Sequence, residues 1–237
     1  MEQTLTLLSF GPDGWGDQIA SGVLVTVGLA LATLPLGLVV GFLLALAKQS
    51  DEKALKMAAE IYTTIFRGLP ELLTLFLVYF GLQIGIREAV SALGFETQIE
   101  INSFLAGMIA LGVVFSAFAS EVFLSAFRAI PAGQYEGGYA LGLGKVQTMI
   151  KIILPQLIRI ALPGLGNLWM ILLKETALVS VIGLPDILRQ AGIAARVSKE
   201  AFLFFGTACL LFLVLAILSS FVIRAIERSV ERSEVRV

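Results

Sequence analysis

Three stretches of the chain run without a single charged residue: 18–47, 101–120 and 201–223. Each holds the roughly 20 apolar residues that a helix needs to cross a bilayer core. Two further stretches have the same length and composition but carry a pair of ionisable residues. Residues 61–86 are apolar apart from Arg67 and Glu71, and residues 160–185 apart from Lys174 and Glu175. The pattern predicts five transmembrane helices with the first 17 residues ahead of them, a membrane domain over 18–223 and a short polar tail over 224–237. The tail alternates arginine and glutamate (Arg224, Glu227, Arg228, Glu231, Arg232), which reads as a solvated continuation of the last helix.

Lysine and arginine orient the five spans. Lys48, Lys53, Lys56, Arg128, Lys145, Lys151, Arg159, Arg224, Arg228, Arg232 and Arg236 fall on one side; Arg87, Arg189, Arg196 and Lys199 fall on the other. The bias predicts an N-terminus outside and a C-terminus in the cytoplasm. The segment before the first span has no lysine or arginine, so it lacks the positive start of a cleaved signal peptide and reads as leading into an uncleaved anchor.

Composition narrows the chemistry. The chain is 57% hydrophobic and 15% charged, with a mean hydropathy of +0.91. A net charge of −1 offers nothing to nucleic acid. Histidine is absent and Cys209 is the single cysteine, so cysteine-based metal clusters, an intrachain disulfide and most nucleophile–base pairs are excluded. There is no G-x-x-x-x-G-K-[ST] loop for a nucleotide phosphate either. A membrane-embedded enzyme is therefore disfavoured. A standalone channel or secondary transporter would show a ring of like charges or inverted repeats, and neither is visible.

The loop between spans three and four, residues 128–159, is longer than a connection between bundle helices requires. Pro131 and Gly133 open it. Glu136 is expected in the first turn of a short helix, where a carboxylate complements the dipole. Gly142 and Gly144 end that helix. Val146, Met149, Ile150 and Ile153 follow at helical spacing and run into Pro155. By residues alone this is an amphipathic helix–turn–helix, and an interfacial helix lying on the membrane accounts for it equally well.

The run Glu136, Gly137-Gly138, three residues, Gly142, nine residues, Ile152, one residue, Leu154-Pro155 resembles the EAA motif of ABC importer permeases. Gly137-Gly138 stands where that family usually has two alanines. Phe66-Arg67-Gly68-Leu69-Pro70-Glu71, Leu77-Val78-Tyr79-Phe80-Gly81, Ala161-Leu162-Pro163-Gly164 and Lys174-Glu175-Thr176-Ala177-Leu178-Val179-Ser180 resemble the polar amino acid branch, in its histidine, arginine, lysine and opine subgroup. The resemblance implies an all-α integral membrane subunit of a bacterial inner membrane, with a cytoplasmic coupling helix between spans three and four. Glu136, Gly137, Gly138, Gly142, Ile152, Leu154 and Pro155 then dock the ATPase. It implies as partners an ATPase dimer, a like or homologous second permease chain, a periplasmic solute-binding protein and an amino-acid substrate. ATP and magnesium belong to the ATPase, and this chain is expected to bind no cofactor.

Charges inside a membrane face a partner or a wet cavity. Glu71 and Glu175, with Thr176 and Ser180, are the candidate substrate path, a carboxylate at 175 suiting a cationic cargo; an intersubunit ion pair is the other reading of Glu175, and helix–helix hydrogen bonding accounts for Thr176 and Ser180 equally well. Arg67, Glu121 and Lys174 are expected to be structural charges. Arg67 and Glu71 lie four apart, as a helical pair would, but Gly68 and Pro70 interrupt the helix between them. Glu121 is expected to pair with Arg128, two turns along the same face.

Overall fold

The computed structural model describes residues 6–92 and 102–232. Glu96, Glu100, the first residue of the expected third span and the last five residues of the tail lie outside them. Every regular element among the described residues is helical. In order these are α1 (Gly16–Lys48), α2 (Lys53–Gly68), α3 (Glu71–Ala92), α4 (Ser103–Ala129), α5 (Ala132–Ala140), α6 (Lys145–Thr148), α7 (Leu154–Glu175), α8 (Ile187–Ser198) and α9 (Ala201–Arg232). A π-helical turn, Met149–Ile153, joins α6 to α7, and a 3-10 segment, Thr176–Ile182, continues α7. Among the described residues, five helical stretches are long and apolar enough to cross a membrane: Gly16–Lys48, Glu71–Ala92, Ser103–Ala129, Lys145–Ile182 and Ala201–Val230. The expected number of spans holds.

The second span starts later than its hydropathy suggests. Instead of one helix over 61–86, the chain makes α2, breaks at Leu69-Pro70 and starts again at Glu71. Leu69 takes an extended conformation, φ −87° and ψ 143°. A residue before proline is pushed there because the ring clashes with its amide and Cβ. The Leu69 amide still donates to the Ile65 carbonyl at 3.0 Å, and the Thr74 amide donates to Pro70 at 3.1 Å, so the break leaves little backbone unsatisfied. α2 is tied to α4 by Tyr62, whose hydroxyl lies 2.9 Å from Ser116 Oγ and 3.2 Å from the Val113 carbonyl oxygen.

α4 is the central helix, packed against α1, α2, α3 and α7. Small residues allow this. Along α1, Thr26, Ala30, Thr33, Gly37, Gly41 and Ala45 are all buried. A Cβ on Gly41 would sit 2.8 Å from the Ala119 Cβ and 2.9 Å from the Ser116 carbonyl oxygen. Lipid tails are as apolar as leucine, so helices in a bilayer associate through such close packing rather than through hydrophobic transfer. Gly41 lies by Ala119 and Gly37 by Phe115, so α1 and α4 run in the same direction; Gly164 by Val122 and Val179 by Gly107 make α7 antiparallel to both. A second, smaller core gathers Ile19 of α1, Ile187, Ala191 and Ala194 of α8, and Phe204 and Ala208 of α9. Cys209 is exposed on α9.

Candidate functional site

The break at Leu69-Pro70 puts Glu71 in the first turn of α3, where the helix dipole favours a carboxylate. Glu175 is the last residue of α7, the end that favours a cation instead. The two carboxyl groups face each other closely enough to interact directly, across a cavity of about 130 Å³. Its remaining walls are Phe115 and Phe118 of α4 and Leu168, Ile171 and Leu172 of α7. No cation lines it. Two carboxylates side by side in apolar surroundings repel, and a cation between them removes both the repulsion and the cost of isolating each charge. Phe115 and Phe118 were not foreseen in the sequence; in an all-apolar span nothing distinguishes a wall residue from a packing one.

Toward the end of α4 nearer α5, about two turns from Phe115, lies a cluster of charge. The Lys48 Nζ donates to Glu121 Oε1 at 2.6 Å, and the Arg67 guanidinium lies 3.1 Å from that same oxygen. Lys48 also reaches Ser120 Oγ at 3.4 Å. The Lys48 side chain is 5% exposed and that of Arg67 43%. Arg67 covers the Phe118 ring, with Cζ 5.6 Å from the centroid. This corrects one expectation, the close partner of Glu121. Arg67 pairs with Glu121 and not with Glu71, because the Pro70 break removes the helical register that a pair four residues apart needs. Glu121 is paired at close range with Lys48 and Arg67, while Arg128, seven residues on and about 10 Å along the axis, attracts it only from farther away. Lys174 is exposed, one residue from the cavity and not among its walls.

The other two candidates on the substrate path lie elsewhere. Thr176 is fully buried, and its hydroxyl donates to the Leu173 carbonyl at 2.8 Å, within its own turn. Ser180 lies toward the far end of α7's 3-10 continuation. Its carbonyl accepts from Arg189 Nη1 at 3.0 Å, and it lines a separate cavity of about 330 Å³ with Arg189, Arg196 and Phe205. Neither residue lines the cavity of Glu71 and Glu175. Beside Ser180, Gly183 turns the chain with φ +97°, and Asp186 caps α8 through Oδ1, which accepts from the Arg189 amide at 2.9 Å. Asp186 is fully buried and its Oδ2 has no hydrogen-bond partner. Burial pushes its carboxyl up to about 6, against the pull of the capping amides.

The residues of the 128–159 loop form a bent, largely exposed element. Glu136 is exposed, as expected, but stands in the middle of α5, because the helix begins four residues earlier at Ala132, directly after Pro131. Gly137 faces open space. Gly138 is buried: a Cβ there would lie 2.6 Å from Thr148 Cγ2 and 3.1 Å from Ile152 Cδ1. Gly142 takes φ +79°, a left-handed turn that stops the helix. Ile152 packs against the core, and Leu154 and Pro155 open α7. Leu141, Val146 and Ile150 are 80%, 70% and 58% exposed, an apolar tip with nothing of this chain over it.

Five spans, an interrupted second span, an acidic cavity at mid-bundle and an exposed helical elbow define a membrane transport subunit. The family described as "Binding-protein-dependent transport system inner membrane component" matches residues 37–232. The nopaline transport system permease protein NocQ of Agrobacterium fabrum is 41% identical over 91% of this chain and 92% of its own. The histidine/lysine/arginine/ornithine transport system permease protein HisQ of Salmonella typhimurium is 38% identical over 91% and 94%. A crystal structure of an amino acid ABC transporter with histidines superposes with a TM-score of 0.76, at 32% identity over 91% of this chain and 95% of that one. The chain belongs to the family of binding-protein-dependent inner membrane permeases, in its polar amino acid and opine branch.

Proposed function

We propose that this chain forms the translocation path of a binding-protein-dependent ABC importer for basic amino acids or opines. The observation that carries the cargo class is the Glu71–Glu175 pair: two facing carboxyl groups, apolar walls and no counter-cation in the cavity. The relatives transport nopaline, or histidine, lysine, arginine and ornithine, all of which carry a basic group, and this agrees with an acidic site.

The lysine and arginine bias supports an N-terminus in the periplasm and the elbow of α5 and α6 in the cytoplasm. There the elbow acts as the coupling helix. Glu136, the exposed Leu141, Val146 and Ile150 and the left-handed turn at Gly142 present one surface to an ATPase subunit, which binds ATP and magnesium in place of this chain. A second permease chain completes the path, since one bundle of five spans encloses only a small cavity, and a periplasmic binding protein delivers cargo to the opposite face.

Uptake by the assembled importer, with its cognate binding protein, tests both parts. Glu175→Gln is expected to lower uptake of arginine, lysine and histidine by about tenfold or more, while the permease still co-purifies with its ATPase. Leu141→Glu is expected to do the reverse, loosening the ATPase while the membrane domain stays folded. Unchanged uptake of every cationic amino acid in the Glu175 variant would end the cargo assignment.

A further inference from the structure

A basic amino acid entering the Glu71–Glu175 cavity brings a carboxylate as well as its cationic group. Inside a membrane that anion needs a partner, because an unpaired charge there costs several kcal/mol. The cavity walls offer it only carboxyl and apolar groups. Two cations border the arrangement: Lys174, next to Glu175 in the chain and exposed, and Arg67. The Arg67 guanidinium carbon lies 5.6 Å from the centroid of the Phe118 ring that walls the cavity. Arg67 ends α2 and Glu71 begins α3, so opposite charges flank the one break in that span.

Arg67 is also the more easily released of the two cations on Glu121. Both share the single oxygen Oε1, but Lys48 is the closer at 2.6 Å and is almost fully buried, whereas Arg67 is 3.1 Å away and 43% exposed. When Arg67 leaves, Glu121 keeps its stronger partner and no buried charge is orphaned. A guanidinium also matches a carboxylate in two parallel hydrogen bonds, a geometry that lysine lacks.

We propose that Arg67 is the carboxylate-binding residue of the cargo path. Held at rest by Glu121, it moves to the carboxylate of an amino acid whose cationic end lies between Glu71 and Glu175. This rests on the acidic-cavity reading above and adds a second pole to it. The two poles select amino acids over simple organic cations.

The test uses the permease–ATPase complex in lipid nanodiscs without binding protein, and compares binding of arginine with agmatine, which is arginine lacking the carboxylate. Hydrogen bonds to a charged group predict that the native complex prefers arginine by roughly 10- to 100-fold. Arg67→Gln should reduce that preference to within about threefold while agmatine binding holds. Arg67→Lys, which keeps an ion pair to Glu121 and so guards against loss of the fold, should reduce it part of the way. Glu175→Gln should weaken both ligands and leave their ratio intact. An unchanged arginine-to-agmatine ratio in the Arg67 variants, with Glu175→Gln weakening both, overturns the role of Arg67 alone. If Glu175→Gln weakens neither ligand, the acidic cavity itself is not the site and both readings fall.

Discussion

Gly137 and Gly138 are neighbours with opposite environments, and alanine at each should separate them. At Gly137 a methyl group meets open space, so Gly137→Ala removes backbone freedom from a helix interior and should stabilise by about 0.5–1 kcal/mol. At Gly138 the same methyl meets the β-branched Thr148, fully buried and confined in its rotamer, so Gly138→Ala should cost about 1–3 kcal/mol. Adding Thr148→Ser removes the clashing methyl and should recover part of that loss, which thermal unfolding in detergent will measure. The Gly-Gly pair in place of two alanines is thus a mild departure at 137 but a fitted one at 138. Asp186 makes a pH-dependent contribution. Its carboxyl is raised from its ordinary 3.8 to about 6, so the folded chain holds that proton more tightly than the unfolded one. The resulting stability is fully present below about pH 4 and is lost as pH rises through 6. Asp186→Asn keeps the cap on α8 and cannot ionise. The melting temperature of the native protein should therefore fall relative to that variant between about pH 4 and 6 and hold level above that.

Among the helices, the ion pairs that join α1 and α2 to α4 share one carboxylate, Glu121. Glu121→Gln leaves Lys48 charged and buried. The expected loss is about 3 kcal/mol, at the low end for a broken buried pair because Glu121 is itself 36% exposed. Lys48→Met in the same chain should restore most of it, whereas Arg67→Ala alone should cost about 1 kcal/mol, as befits a half-exposed partner. Denaturant unfolding of the four proteins checks the order. This cluster also marks the limit of sequence reading. Lys48 and Glu121 are 73 residues apart and meet only because small residues let α1 and α4 lie in close register. Nothing local announces that register, so the nearer Arg128 looked like the partner. The break at Pro70 was legible, since proline restricts the residue before it wherever it stands. Its consequence, a helix restarting at Glu71 and aiming that carboxylate at Glu175, depended on how α3 and α7 pack.

Across the whole molecule, the number of spans and their alternating order followed from hydropathy, because a bilayer imposes length and apolarity on every crossing. The elbow of α5 and α6 was legible for a different reason: glycine and proline fix backbone conformation locally, wherever the rest of the chain goes. What stayed hidden was the cavity. Of four polar residues nominated for the path, Glu71 and Glu175 line the cavity, and Thr176 and Ser180 do not, because residues one and five apart on a helix point to different sides. Which side faces α3 is decided by packing, and the composition of Thr176–Ile182 gives no sign of it.

Cys209 stands exposed in the apolar part of α9, and no other thiol exists in the sequence. The wild-type chain is thus already a single-site labelling substrate for maleimide reagents that partition into lipid. One spin label per chain, placed there without any substitution, gives two labels in an assembly of like chains and one in an assembly of unlike chains whose partner lacks a reactive thiol. Dipolar spectroscopy on the native protein then distinguishes the two, and the same pair of labels reports any change in the separation of the α9 helices as ATP is turned over.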